Sequence, residues 1–115
     1  MDERILKWLY DIKLAIEEIE GYFENREKDF FQYRENLMLK RAIERDLEII
    51  GEAMNRILKR DRSLENQISN AKAIIGLRNQ VIHAYDNLSD ENIWSVLINH
   101  LPELKREVDR LILQN

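Results

Sequence analysis

Four residues in an otherwise apolar stretch carry chemistry: Arg78, Asn79, His83 and Tyr85, within "AIIGLRNQVIHAYDNLSDENIW", residues 73–94. Arginine is charged at every physiological pH, and its planar fork matches phosphate oxygens. Histidine titrates near neutrality and can pass a proton in either direction. Together they suit attack of an RNA 2′-hydroxyl on the neighbouring phosphate. The imidazole would handle the proton and the guanidinium would stabilise charge on the phosphoryl oxygens. Neither role needs a metal or any other cofactor. The sequence offers no His-x-x-x-His pair, and its other histidine is His100.

Helical geometry constrains this idea. At 100° per residue, His83 falls about 140° around a helix from Arg78. One straight helix does not aim both at a single small group. Either the helix ends near His83 and its last residues turn, or the site is assembled across a dimer axis, each chain supplying one arginine and one histidine. The two arrangements are compatible. A plainer reading stands beside them: arginine and histidine near a helix C-terminus complement the dipole and free carbonyls, and Tyr85 is an amphipathic rim residue. The R-x-x-x-x-H spacing alone does not choose between these.

The elements that must position these residues are helices, because three glycines and one proline are the only strong breakers in 115 residues. The first helix is expected over residues 2–20, with Ile5, Leu9, Ile12, Ile16 and Ile19 on one face, Asp2 as its cap and Gly21 as its left-handed stop. The aromatics Tyr22, Phe23, Phe30 and Phe31 of the following loop are expected to fold back over the bundle end. A second helix is expected over 33–59, its seam running through Leu39, Ile43, Leu47, Ile50, Met54 and Ile57. Gly51 in its middle points to close approach of another helix, and a second apolar edge (Ala42, Ile49, Ala53) to an additional neighbour. "KRDRSLENQISN" reads as a loop that can hold a short turn, and Asn70 can cap a third helix from Ala71 to about His83. The fourth starts near Ser89, with Asp90 and Glu91 at its positive end, and Pro102 should kink or restart it near Asn99. The expectation is one all-α domain over residues 1–115, a four-helix up-down bundle with its fourth helix kinked near Pro102.

With 18 basic and 22 acidic residues, net −4, the chain is not one that coats nucleic acid by charge alone; a small, locally positive cleft for RNA stays open, and no DNA partner is expected. No cysteine is present, which excludes disulfides and thiolate metal sites. No apolar run approaches a membrane span and the start lacks a secretory layout, so a cytoplasmic location is expected.

The motif with its flanks says more than the spacing. "IIGLRNQVIHAY" followed by "DNLSDENIWSVLINHLPELKREV" resembles the HepT-like group of HEPN-domain proteins, whose pattern R-N-x-x-x-H-x-Y is met by Arg78, Asn79, His83 and Tyr85. "RAIERDLEIIGEAMNRI" is similar to that group's second helix, and the resemblance runs from the first helix to Leu111. Two departures occur: Ala84 stands where the group often has glycine, and no proline precedes the motif helix. The resemblance implies a homodimeric helical fold with the arginine and histidine of both chains facing one cleft. It implies a metal-independent endoribonuclease toxin of a toxin–antitoxin system, with RNA as substrate. It also implies a partner antitoxin, a minimal nucleotidyltransferase of the MntA type that neutralises the toxin by transferring AMP to Tyr85. The competing reading is a non-catalytic module that binds a nucleotide, or presents Tyr85 to such a nucleotidyltransferase, and cuts nothing.

Two acids bear on the motif. Glu48 and Glu52 lie one turn apart beside Gly51, and one of them, Glu52 by preference, is expected to pair with Arg78 and fix its fork. The plain alternative is an i,i+4 pair of Glu52 with Arg56. Asn79 is expected to position the motif rather than react. Arg56, Lys59, Arg60 and Arg62 read mainly as dipole complementation, His100 as a packing or capping residue, and Trp8 and Trp94 as core anchors.

Overall fold

Short polar side chains set most of the helix starts. The computed structural model describes residues 1–24, 27–82 and 89–114, with backbone alone for 78–82. Helix α1 (Glu3–Tyr22) is capped by Asp2, whose carboxylate accepts from the Arg4 and Ile5 amides at 2.7 and 3.4 Å. A short helix α2 (Phe30–Glu35) is capped by Asp29. Asn36 takes an extended conformation and caps α3 (Leu37–Arg60) through the Leu39 amide, 3.0 Å away. A 3₁₀ turn (Arg62–Gln67) follows, capped by Asp61, and then α4 (Ala71–Ile82). Ser89 caps α5 (Asp90–Ser95), which passes through a π-helical turn (Val96–His100) into α6 (Leu101–Leu113).

The caps at Asp2 and Ser89 and the apolar stripes are as the sequence predicts. Ile5, Leu9, Ile12, Ile16 and Ile19 of α1 are buried, as are Ile43, Leu47, Ile50, Met54 and Ile57 of α3 and Leu104, Val108 and Leu111 of α6. All belong to one apolar cluster. Helix α1 packs against α3 and α6, and α3 packs in turn against α4. The architecture is all-helical among the described residues, none of whose helices is long and apolar enough to cross a membrane.

Two expectations need correcting. Helix α1 does not stop at Gly21, which has no positive φ; Glu24 takes the left-handed turn, at φ 52°. The helix is carried further because Tyr22 is held by hydrogen bonds and Phe23 is buried against Trp94, with ring centroids 6.0 Å apart. The expected single helix over 33–59 is broken at Asn36. Asparagine gains more from capping the next helix than from continuing the last, which leaves α2 as a separate turn. The polar stretch after α3 holds the short turn expected there, a 3₁₀ turn that buries Leu64, with Ile68 buried just beyond it.

At Pro102 the helix behaves as proline chemistry requires. Pro102 has no N–H to offer, and its ring would crowd the carbonyl four residues back. The chain relieves this with one wide turn, in which the Leu101 amide bonds the Val96 carbonyl, five residues earlier. Pro102 then sits in the first turn of α6, where a missing donor costs nothing.

The start of α5 follows the motif directly, so its cap matters. The Ser89 hydroxyl accepts from the Asn92 amide at 3.1 Å. Ser89→Ala is expected to lower stability by about 1 kcal/mol in chemical denaturation.

Candidate active site

Helix α4 carries the first half of the motif. Ala71, Ile74 and Leu77 are its buried residues. By helical phase, position 78 continues the row of Ala71 and Ile74, while position 79 falls off that row. A cation at a position in phase with a buried row is the local anomaly that makes position 78 a candidate. The side chains of Arg78 and Asn79 lie outside the described residues, as do His83 and Tyr85 entirely.

Glu52 is described. It lies on α3, half-buried, and its carboxylate receives Arg56 Nε at 3.0 Å. The i,i+4 alternative is therefore real. Glu48 lies 3.9 Å from Arg45. These charges rim a groove of about 330 Å³ between α1 and α3, floored by Trp8, Ile49 and Ala53. Of the basic cluster at the end of α3, two members are engaged structurally. Arg56 holds Glu52, and Arg60 Nε donates to Asp2 at 2.8 Å, tying the end of α3 to the start of α1.

Two buried acids went unnoticed in the sequence, although each is in phase with a buried stripe: Asp46 beside Ile43 and Ile50, Glu107 beside Leu104 and Leu111. Asp46 is only 1% exposed. Its carboxyl lies 2.8 Å from Tyr22 Oη, which also lies 2.7 Å from Glu18. The Tyr22 hydroxyl thus has one proton to share between two carboxylate acceptors. Burial pushes the Asp46 carboxyl up to about 6 against the opposing hydrogen bond from Tyr22. Burial and the same two acids raise the Tyr22 phenol well above its usual range. Glu107 accepts the Ser69 amide at 2.9 Å and so links the approach to α4 with α6. His100 is half-buried, and its Nδ1 has no partner among the described residues.

Trp94 anchors the start of the last helical run, as its spacing predicts. Phe30 and Tyr33 lie 5.7 and 5.5 Å from it. Phe23 and Phe30 do fold over this end, whereas Phe31 is 64% exposed. Among the described residues no group of three or more histidines, aspartates and glutamates is placed to hold a metal ion.

Comparison with known proteins bears on the whole chain. Residues 12–111 match the family described as Ribonuclease HepT-like. A Methanocaldococcus jannaschii protein with the provisional name RNase is 31% identical over 113 residues, which cover 97% of this chain and 95% of that one. A Caldanaerobacter subterraneus protein of similar name is 32% identical over 105 residues, 90% of this chain and 87% of that one. A Thermococcus cleftensis protein provisionally named ribonuclease HepT is 32% identical over 104 residues, 90% of this chain and 92% of that one. No solved structure matches the chain significantly.

Proposed function

This chain belongs to the HepT-like ribonuclease family, and on that premise we propose that it is a metal-independent endoribonuclease toxin with Arg78 and His83 as its catalytic residues. The observation that carries the reading is the motif itself, R-N-x-x-x-H-x-Y at residues 78–85, inside the matched span 12–111. The substrate's 2′-oxygen attacks the adjacent phosphorus and the 5′-oxygen leaves. An imidazole removes the 2′-hydroxyl proton and an imidazolium returns one to the departing oxygen. Arg78 holds the phosphoryl oxygens through both. Residues 1–115 form one HEPN domain that dimerises, and each chain gives an arginine and a histidine to the shared cleft. Asn79 positions the motif.

Regulation follows from Tyr85. A partner nucleotidyltransferase of the MntA type joins Tyr85 Oη to the α-phosphorus of a nucleoside triphosphate, and pyrophosphate leaves. The added AMP places bulk and negative charge where substrate phosphate must sit beside Arg78. Both proteins act in the cytoplasm.

The direct test is incubation of the purified protein with RNA in excess chelator. New 2′,3′-cyclic phosphate and 5′-hydroxyl ends are expected; intact RNA would favour a binding module. Glu52 is proposed to support Arg78 from α3. Glu52→Gln should then slow cleavage several-fold, more than loss of an exposed i,i+4 pair worth about 0.5 kcal/mol can explain. If cleavage and thermal stability were both unchanged, Glu52 would have no such role.

A further inference from the structure

The surface where α2 meets α5 combines three kinds of group that the proposed catalytic chemistry does not use. The first is aromatic: Trp94 and Phe30 are half-buried, with ring centroids 5.7 Å apart at 66°, and wall a groove of about 340 Å³. That volume sits at the small end of ligand sites, roughly 300–1,000 Å³, and suits one nucleotide better than a duplex. The second is polar. Glu91 lines the groove and has no hydrogen bond or ion pair among the described residues. Asn99 donates to Ser95 Oγ at 3.2 Å, which leaves its second N–H and its carbonyl oxygen to be matched. The third is cationic. The Arg34 guanidinium stacks 5.8 Å from the Phe30 ring and 5.1 Å from the exposed Phe31 ring. Its Nε is taken by Glu35 at 3.0 Å, and its remaining N–H groups can meet a phosphate. Lys28 lies 5.8 Å over Phe23, whose ring in turn meets Trp94.

An aromatic wall with a cation stacked on one of its rings fits single-stranded RNA, whose bases stack while its phosphates seek positive charge. A carboxylate inside the groove would repel phosphate, so its use must be at a base edge. Guanine presents two adjacent donors there, N1–H and the N2 amino group, which one carboxylate accepts together. Adenine and cytosine set a ring nitrogen acceptor beside their amino group, and uracil flanks its N3–H with two carbonyls, so each sets a lone pair against the carboxylate.

We propose that the α2–α5 groove is a guanine subsite for the RNA substrate: the base stacks on Trp94 and Phe30, Glu91 accepts its N1–H and N2–H, Asn99 faces O6, and Arg34 meets the flanking phosphate. The proposal rests on reading the chain as a ribonuclease and supplies that reading with a sequence preference.

Its test separates binding from cutting. Full-length His83→Ala protein is titrated with fluorescently labelled pentaribonucleotides of sequence UUNUU, and anisotropy is followed. The guanine oligomer should bind about tenfold tighter than the adenine one, as expected for a paired base contact. The inosine oligomer, which lacks the N2 amino group, should lose much of that gain. Glu91→Gln should bring the guanine oligomer down towards the adenine level. Arg34→Gln should weaken all oligomers alike and reduce the salt dependence. Both substitutions are at exposed positions outside the core, so the fold is not at stake. Equal binding of guanine and adenine oligomers, or a guanine preference untouched by Glu91→Gln, overturns the subsite. RNA cleavage by the wild-type protein without guanine-selective binding removes the subsite and leaves the nuclease reading. Guanine-selective binding by a wild-type protein that cleaves nothing removes the nuclease reading instead.

Discussion

His83→Ala protein is expected to cleave RNA about 10²–10⁴-fold more slowly than wild type, the range typical for loss of a positioned acid–base group. The same substitution should leave circular dichroism and the proposed dimer unchanged. The physical ground is that proton transfer must accompany both bond formation at the 2′-oxygen and bond cleavage at the 5′-oxygen. No other histidine on the chain is a ready substitute: His100 belongs to the π-helical turn ahead of Pro102 and is half-buried there. Measurement of cyclic-phosphate ends at fixed enzyme concentration, with expression of the variant in growing cells, reads both consequences. Cleavage within twofold of wild type would remove His83 from the mechanism.

The second large effect concerns stability against pH. Asp46 is buried with its carboxyl pushed up to about 6, facing Tyr22 and Glu18 from α1, with Arg45 beside it on α3. A carboxyl whose folded value lies above its unfolded value binds more protons in the folded state. Its contribution is therefore complete below about pH 4, the unfolded value, and is lost as pH rises through about 6. The loss at pH 8 is on the order of 2–3 kcal/mol, since each pKa unit is about 1.4 kcal/mol. Asp46→Asn keeps the shape and can still accept the Tyr22 hydroxyl through its amide oxygen, but it cannot ionise. It should be more stable than wild type at pH 8 by about 1–2 kcal/mol and nearly equal to it at pH 4.5. Urea unfolding at the two pH values checks this. If the stabilities of wild type and Asp46→Asn changed in parallel between pH 5 and 8, folding would not raise the Asp46 carboxyl.

Periodicity made the helices legible. Rows such as Ile5–Leu9–Ile12–Ile16 and Ile43–Leu47–Ile50–Met54 have one stable way to be buried, and the caps at Asp2 and Ser89 declare their own helix starts. Local competition decided what periodicity could not see. Asn36 both ends one helix and starts the next, and a propensity sum over residues 33–59 hides that choice. Gly21 looked like a stop because glycine permits one, but burial of Phe23 carried the helix past it. The proposed site was legible as a motif rather than as a geometry. Residue types suggest the chemistry proposed for Arg78 and His83, whereas any convergence of the two depends on distances that a one-dimensional spacing does not contain. Asp46 escaped notice for a related reason: an acid in phase with a buried row looks like a solvated edge until the Tyr22 hydroxyl is found across the helix interface.

The wide turn before Pro102 makes the last helical run tolerant of a change in length at one place. A π-turn holds one residue more than the α-turn it replaces. Deleting Pro102 would remove the surplus residue together with the ring that requires it, and the two flanking helices would fuse with Leu97, Leu104 and Val108 at unchanged azimuths. The same deletion a few positions later, after Leu104, would swing Val108 and Leu111 by about 100° off the core.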